Sequence, residues 1–417
     1  MNRWLAATVL GGLVLGAPVR AQETVRLSGE VRVRGEAERT VVPDTADAFS
    51  LLRTRLAVEA LLSPRATVFA QIQDARVFGE EASTVDGSAD RIDLHQAWLQ
   101  YAGTGRVDWS VRAGRQEIAL GNERLVGAVG WSNTGRSFDG VRAALGVSGW
   151  SANLLAATIR ERGARHGAAA GDQDDHMLLG AFVERGPAEL FVLHDREDAF
   201  RQYSGVDRTT LGARIATSGA LTASVEGAWQ LGNQLLNGAA PVSQDIGAFM
   251  AGARIGHALT LGPFTRVGVG VDVLSGDDTP ADDSFGAFHT LYATNHKFYG
   301  YQDLFLDPAT RTRDRGLVDG MLSATIALPR ALALDVDGHA FWLHRDMTGA
   351  TTRALGMELD LTLPVRLGPG QQIQLGYSAF RNGGAAPFIG LGTDGEVWHW
   401  TYVMATFSFG ARPAPIL

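Results

Sequence analysis

Residues 24–36 read TVRLSGEVRVRGE, and this stretch alternates between apolar and charged side chains at every second position. Val25, Leu27, Val31 and Val33 share one parity, and the arginines and glutamates between them share the other. A helix would spread these charges around its circumference, whereas a β-strand directs them to one face. The stretch therefore predicts a strand that separates an apolar phase from a polar one.

The same alternation recurs along the chain, clearly in 52–60, 221–230, 266–273 and 355–363. Even numbers of alternating segments, each about ten residues long and parted by turn residues, are typical of outer-membrane β-barrels. We predict an all-β fold: a single transmembrane antiparallel up-and-down barrel of about 18 strands. The predicted strands are 24–38, 48–61, 65–78, 90–101, 106–118, 136–146, 149–161, 175–185, 187–196, 206–217, 220–232, 244–258, 263–275, 315–327, 331–343, 353–365, 371–382 and 394–409.

The connections between these segments alternate in length. Short links at 63–64, 186–187, 261–263 and 329–330, each containing proline, predict tight periplasmic turns. Longer polar links predict extracellular loops, because barrels of the outer membrane have this asymmetry. The longer links are 79–89, 119–135, 162–174, 233–243 and 276–314.

The first 21 residues have the features of a secretory signal peptide. Arg3 gives a basic start, residues 5–17 are uncharged and apolar, and Val-Arg-Ala at 19–21 is a suitable cleavage site. A membrane anchor or a buried N-terminal helix is the alternative. We expect cleavage after Ala21, which leaves 22–417 as one barrel domain in the cell outer membrane.

The net charge and the composition limit the classes of partner that we expect for this protein. The net charge of −8 argues against nucleic acid, and the chain contains no cysteine. All basic residues except Lys297 are arginines, which a GC-rich coding bias would also produce. Whatever the origin of that bias, a barrel interior built from this sequence has to use arginine for its positive charge.

Aromatic residues dominate the last predicted strand. Thr401, Val403, Ala405, Phe407 and Phe409 form one face, and we place Trp398, Trp400 and Tyr402 at lipid headgroup level. A terminal aromatic strand resembles the signal that the barrel assembly machinery recognises, so we expect that machinery to be a partner during biogenesis.

Three stretches resemble the alginate export porin family. They are GRQEIALGNERLVGAVGWSNTGRSFDGVR at 114–142, FHTLYATNHKFYGYQDLF at 288–305 preceded by SGDD at 275–278, and much of 354–409. The resemblance implies an 18-stranded outer-membrane barrel and, in well-studied members, export of an anionic uronate polysaccharide. It also implies lumen positions for Arg115, Gln116, Arg136, Asp139 and Arg142.

The parity of the strands independently nominates inward-facing arginines. We predict a channel with a polar lumen, for anionic solutes or an alginate-like uronate polysaccharide, because guanidinium groups stay charged and bind carboxylates through two donors. The predicted pore-lining residues are Arg32, Arg34, Arg53, Arg55, Arg112, Arg115, Arg136, Asp139 and Arg142, with Arg26, Arg214 and Arg254 also facing inward. Alternatively, these arginines pair with glutamates on neighbouring strands and only fill the interior.

Other function classes remain as alternatives. A general diffusion or nutrient-uptake porin is the main competitor, and a barrel hydrolase is less favoured because no histidine adjoins a serine in a nucleophile motif. We therefore predict a protein that is not an enzyme and needs no cofactor.

The segment 276–303 combines acidic residues with a family-like motif. Asp277, Asp278, Asp282 and Asp283 could bind Ca²⁺, but their spacing matches no defined calcium loop and favours a solvated acidic loop. We predict a gate or plug role for a second set: His296, Lys297, Tyr299 and Asp303. The alternative is a structural loop facing lipopolysaccharide, which with outer-membrane lipid is an expected partner.

Overall fold

The computed structural model describes residues 25–40, 45–78, 92–160, 176–197, 205–236, 242–279 and 282–410. The predicted signal peptide and the links at 79–89 and 162–174 lie outside these ranges. Among the described residues, no helix has the length and apolarity needed to span a bilayer.

Eighteen long strands and one two-residue strand make up almost all of the regular structure. Short helical turns occur at Asn295–Lys297, Pro308–Arg311 (α1), Pro329–Ala331 and Ala386–Ile389. The strands are β1 Val25–Thr40, β2 Thr45–Ser63, β3 Ala66–Phe78, β4 Ile92–Gly103, β5 Asp108–Gln116, β6 Phe138–Val147, β7 Trp150–Arg160, β8 His176–Arg185, β9 Ala188–Glu197, β10 Gly205–Ala216, β11 Leu221–Leu236, β12 Val242–Leu261, β13 Phe264–Leu274, β14 Ser284–Phe285, β15 Leu317–Leu328, β16 Leu332–Leu343, β17 Ala354–Gly368, β18 Gln371–Asn382 and β19 Val397–Phe409.

The long strands form a closed antiparallel barrel. Each pairs with its neighbours in sequence, β13 pairs directly with β15, and β1 closes the ring by pairing with β19 from Gly29↔Phe409 to Arg39↔His399. Closure leaves no unpaired strand edge to face lipid, which is what a membrane-spanning sheet requires. The predicted 18-stranded barrel is confirmed.

The two ends of the barrel differ as predicted. Tight turns join the strands at one end, with Gly186 and Gly262 at φ 56° and 59°, a left-handed conformation that glycine adopts without steric cost. Long connections lie at the other end, and their described parts are 117–137, 275–279 with 282–316, 344–353 and 383–396.

Burial follows the parity of the sequence pattern. On β1, Arg32 and Arg34 are 5% and 4% exposed, whereas Val31 and Val33 are 39% and 42% exposed. The valines face the surrounding lipid and the arginines face the interior, as the alternation requires. Leu355 departs from this pattern: the register of β16 and β17 shifts beside Gly356, which turns Leu355 inward.

The aromatic residues of β19 correct one prediction. Trp400 and Tyr402 are buried at 7% and 3% exposure, and both rings contact Trp131 from the 117–137 connection. They share the inward parity of β19, opposite to that of Val403 and Phe407. Trp398, Trp400 and Tyr402 are therefore a column on the inner wall, and not part of an outer headgroup belt.

Two long connections fold into the barrel and meet there. Val126 and Tyr292 form a parallel backbone bridge, and Phe288, Phe298 and Phe305 pack in an apolar cluster against the inner wall. Phe305 lies 4.6 Å from Phe341 of β16, measured between ring centroids. Residues 117–137 form the first inward loop, and residues 275–279 with 282–316 form the second. Both loops thus fill part of the lumen.

Candidate channel constriction

Arginines of β1 hold the first inward loop through its backbone. Arg32 donates to the carbonyl oxygens of Gly130 and Ser132, both at 2.8 Å. Arg34 donates to the carbonyl of Trp131 at 2.8 Å, and its guanidinium lies 4.0 Å from the Trp131 ring centroid. Arg34 also pairs with Glu36 at 2.6 Å, whereas the carbonyls that accept from Arg32 are neutral and leave its positive charge beside the loop.

Arginines of β2 extend the same contact. Arg53 donates to the carbonyls of Gly130 and Ser132 at 3.1 and 3.0 Å and pairs with Glu30 at 2.6 Å. Arg55 donates to Gln73 at 2.6 Å and to Glu117 at 3.0 Å. Cross-strand pairing and contact with the loop therefore coexist at these arginines, which are called here, with Arg32 and Arg34, the arginine cluster.

Glu117 opens the first inward loop and is held by two donors. His95 Nε2 lies 2.8 Å from the Glu117 carboxylate, and Arg55 donates to the same oxygen. Burial favours the neutral carboxyl, but His95 and Arg55 outweigh it, so the pKa of Glu117 lies below its ordinary value. The carboxylate stays ionised at neutral pH and ties the loop to β2 and β4.

Arg136 closes the first inward loop and reaches the second. Its guanidinium donates to the carbonyls of Tyr292 and, at 3.2 Å, Ala293. Burial lowers the pKa of Arg136 from its ordinary value. With the arginine cluster, Arg136 makes five guanidiniums around the loops, whereas their close carboxylates are Glu30, Glu36 and Glu117.

Arg112 and Arg142 lie directly opposite each other on β5 and β6. Arg112 donates to Gln100 and lies 3.8 Å over the Trp98 ring, and Arg142 donates twice to Asn153. Both face the interior, so like charges converge on this part of the wall.

Arg115 and Asp139 are placed differently from the prediction. They pair with each other at 2.8 Å with half-exposed side chains, on the parity opposite to that of the buried Gln116 and Phe138. The resemblance suggested the lumen, but strand parity puts both residues on the outer face of the barrel. They are not pore-lining, whereas Gln116 does face inward.

The four proposed gate residues all lie where the inward loops meet. The His296 ring stacks on Trp131 at 4.3 Å and bonds Asp303 at 2.6 Å. Lys297 pairs with Glu123 of the first loop, and the hydroxyl of buried Tyr299 lies 3.1 Å from Arg124. The structure brings these residues together, and their gate or plug role stays a prediction.

The sequence pattern did not predict a role for Arg124. It is 1% exposed, lies 2.9 Å from Asp272 and 3.2 Å from Glu226, and its guanidinium is 4.0 Å from the Phe298 ring centroid. Burial favours the neutral form, but Tyr299, Asp272 and Glu226 outweigh it, so the pKa of Arg124 lies above its ordinary value. The one available signal was its place in the family-like stretch at 114–142.

Acidic residues occupy another part of the wall, on β15 to β17. Asp319 of β15 lies 3.0 Å from His339 of β16, and Glu358 and Asp360 follow on β17. Across the described residues, no group of three or more histidines and carboxylates is arranged to hold a metal ion. Asp277, Asp278 and Asp282 instead bond Thr279, Arg345 and Ser284, so this geometry does not support the calcium site.

A comparison with known protein families assigns this barrel to one of them. The family model described as alginate export matches residues 23–387. The chain belongs to the alginate export family. A search of curated proteins finds no match to the sequence.

Solved porins share the fold of this alginate export family member at low sequence identity. A BenF-like porin from Pseudomonas fluorescens Pf-5 is 12% identical with a TM-score of 0.58, covering 94% of this chain and 100% of that one. Pseudomonas aeruginosa OccK2 (OpdF), solved in complex with glucuronate, is 11% identical with a TM-score of 0.57, covering 93% and 98%. Pseudomonas aeruginosa OpdO is 12% identical with a TM-score of 0.57, covering 94% and 98%. The family member is an outer-membrane channel and not an enzyme.

Proposed function

We propose that this channel passes small anionic solutes, with sugar acids such as uronates as the substrate class. The arginine cluster supports this proposal. Five guanidiniums, counting Arg136, contact the inward loops beside β1 and β2 and have three close carboxylates, which leaves excess positive charge on this side of the lumen. A fixed ring of like charge sets ion preference in many channels.

The neighbouring structures are compatible with this substrate class. OccK2 was solved with glucuronate, a sugar acid that carries one carboxylate. The family name points to alginate, which is a polymer of such units. A polymer has to thread its whole length past the inward loops, which already occupy part of the lumen, whereas a single unit passes as one compact molecule.

Flux into liposomes tests the anionic preference. Channels reconstituted in lipid should admit glucuronate faster than glucose, because the two rings have similar size and differ mainly in charge. Equal rates would favour a general diffusion porin. Faster glucose entry would contradict the proposal.

A matched pair of variants tests whether the arginine charge is responsible. Arg32→Lys with Arg53→Lys keeps the charge but loses the bidentate geometry, whereas Arg32→Gln with Arg53→Gln loses both. We expect the glutamine pair to lose most of the preference for glucuronate over glucose and the lysine pair to retain it. Loss of preference in both pairs would assign the effect to loop position instead of charge.

Export of a uronate polysaccharide remains the second candidate because the family model carries that name. It requires both inward loops to leave the lumen, which means separating Arg124 from Asp272 and Arg136 from the second loop. Release of oligouronates of increasing length from loaded liposomes distinguishes the two candidates. Small-solute passage predicts a sharp cutoff after the shortest oligomers, and polymer export predicts none.

A further inference from the structure

A cavity of about 330 Å³ lies in the outer half of the barrel, next to the arginine cluster, because Glu36 of its lining pairs with Arg34 at 2.6 Å. It opens between the outer ends of β1 and β19 and the second inward loop. Its lining includes Glu36, Glu38, Tyr301, Asp303, Trp398 and Trp400. No arginine or lysine is among the described residues that line it.

The aromatic rings of this cavity are held in place by carboxylates. Trp400 Nε1 donates to Glu36 at 2.9 Å, and Trp398 Nε1 donates to Glu396 at 2.8 Å. Because each indole edge is fixed by a hydrogen bond, binding of a ligand at the rings would cost little additional ordering.

An aromatic stack leads from the arginine cluster to the cavity. The Arg34 guanidinium lies 4.0 Å from the Trp131 ring centroid, Trp131 stacks on His296 at 4.3 Å, and His296 stacks on Tyr301 at 5.0 Å. Trp131 thus already accepts one of the protein's own cations at its face. Tyr301, at the other end of the stack, lines the cavity.

Charge along the inner face of β1 changes sign with depth. Arg32 and Arg34 lie at the level of the first inward loop, and Glu36 and Glu38 follow toward the outer end. Glu38 is opposite Asp47 in the register of β1 and β2. Because Glu36 pairs with Arg34 and Asp303 bonds His296, Glu38 with Asp47 opposite it adds the negative charge toward the outer end of the cavity.

We propose that this cavity binds a small organic cation, with an ammonium group held between the aromatic rings and the carboxylates. Aromatic faces attract ammonium groups through the ring quadrupole, and a nearby carboxylate adds Coulomb attraction. A cavity of this volume is within the range of small-molecule sites. An inorganic cation would gain little from the rings.

Calorimetry on the full-length chain folded in detergent tests this site without relying on transport. Choline and its uncharged isostere 3,3-dimethylbutan-1-ol have the same shape and differ in one positive charge. Choline should bind about tenfold more tightly than the isostere, the ratio expected when a ring and a carboxylate both contribute. Equal affinities, or saturable binding of neither compound at millimolar concentrations, would overturn the proposal.

Variants locate the site. Trp398→Ala and Glu38→Gln should each weaken choline binding several-fold, and Trp398→Phe should keep most of it because a ring remains. Trp229→Phe on the lipid-facing side and Asp394→Asn on an exposed outer loop are matched controls and should change nothing. Choline binding that is unchanged in Trp398→Ala and in Glu38→Gln would place it elsewhere and overturn the assignment.

Glucuronate flux in the same variants separates this proposal from the proposed function. The variants should lose choline binding while their preference for glucuronate over glucose stays near that of the unaltered chain. Loss of glucuronate preference in Trp398→Ala would show that the cavity belongs to the anion path and would contradict a separate cation site.

Discussion

Arg124 illustrates how one buried charge can hold two loops inside a barrel. Its guanidinium belongs to the first inward loop, while Tyr299 and Phe298 come from the second and Asp272 and Glu226 come from the wall. Removing one partner from a buried ion cluster leaves the others without compensation, and this typically costs about 3–5 kcal/mol.

Replacing Arg124 by methionine should release the inward loops and leave the barrel closed. We expect larger and noisier single-channel conductance, and faster proteolysis within the loops, because Asp272 and Glu226 would then be buried together without their shared cation. Arg115→Met is the matched control, since its half-exposed pair with Asp139 contributes about 0–1 kcal/mol. Conductance that is unchanged in Arg124→Met would contradict the anchoring role.

The pKa of Glu117 predicts how pH affects the docking of the first inward loop against the barrel wall. Its pKa in the folded protein is lower than the ordinary 4.5, so its ionised form contributes to docking above that value. The contribution is lost as pH falls through the lower folded pKa. Trp131 belongs to this loop, so the tryptophan fluorescence of the unaltered chain should change under strongly acidic conditions. Glu117→Gln lacks this titration, so an identical acid response in that variant would contradict the assignment.

At the scale of elements, the pair β18–β19 shows how a glycine accommodates an aromatic ring. Gly376 lies opposite Tyr402, and a Cβ added at Gly376 would come within 1.8 Å of the Tyr402 ring. Tyr402 is buried against Trp131, so it has little room to move away.

Gly376→Ala should therefore destabilise the barrel by about 1–3 kcal/mol, the usual cost of overpacking. Urea unfolding followed by gel mobility of the folded barrel measures this effect. Gly338→Ala is the control, because an added Cβ there has open space around it. Equal midpoints for the two variants would show that the Tyr402 ring adjusts freely.

The strands were predictable because the sequence of each one alternates between side chains that face lipid and side chains that face the interior. Every predicted segment corresponds to one observed long strand, since period-two alternation is local and a one-residue slip would place arginines such as Arg32 in lipid. The same parity would have placed Trp400 inside and Arg115 outside. The headgroup position predicted for Trp400 was wrong because it rested on the preference of aromatic residues for the membrane interface. The lumen position predicted for Arg115 was wrong because it rested on a motif resemblance.

At the scale of the whole molecule, positive and negative side chains lie on different strands of the inner wall. Inward arginines are frequent on β1, β2, β5 and β6, whereas the buried Asp272, Asp319, Glu358 and Asp360 lie on β13, β15 and β17. The packing of the loops was not predictable, because Arg124 and Asp272 are distant in sequence and no local pattern links them. Burial of Phe298 and Phe305 inside a polar lumen likewise depends on where the loops fold.

The reversal potential of the unaltered channel in a planar bilayer, under a potassium chloride gradient, tests the central claim most directly. Excess positive charge where the inward loops lie beside β1 and β2 predicts a potential whose sign reports faster chloride than potassium passage, with the preference weakening at high salt as charges are screened. A potential that reports potassium preference at low salt would contradict the account.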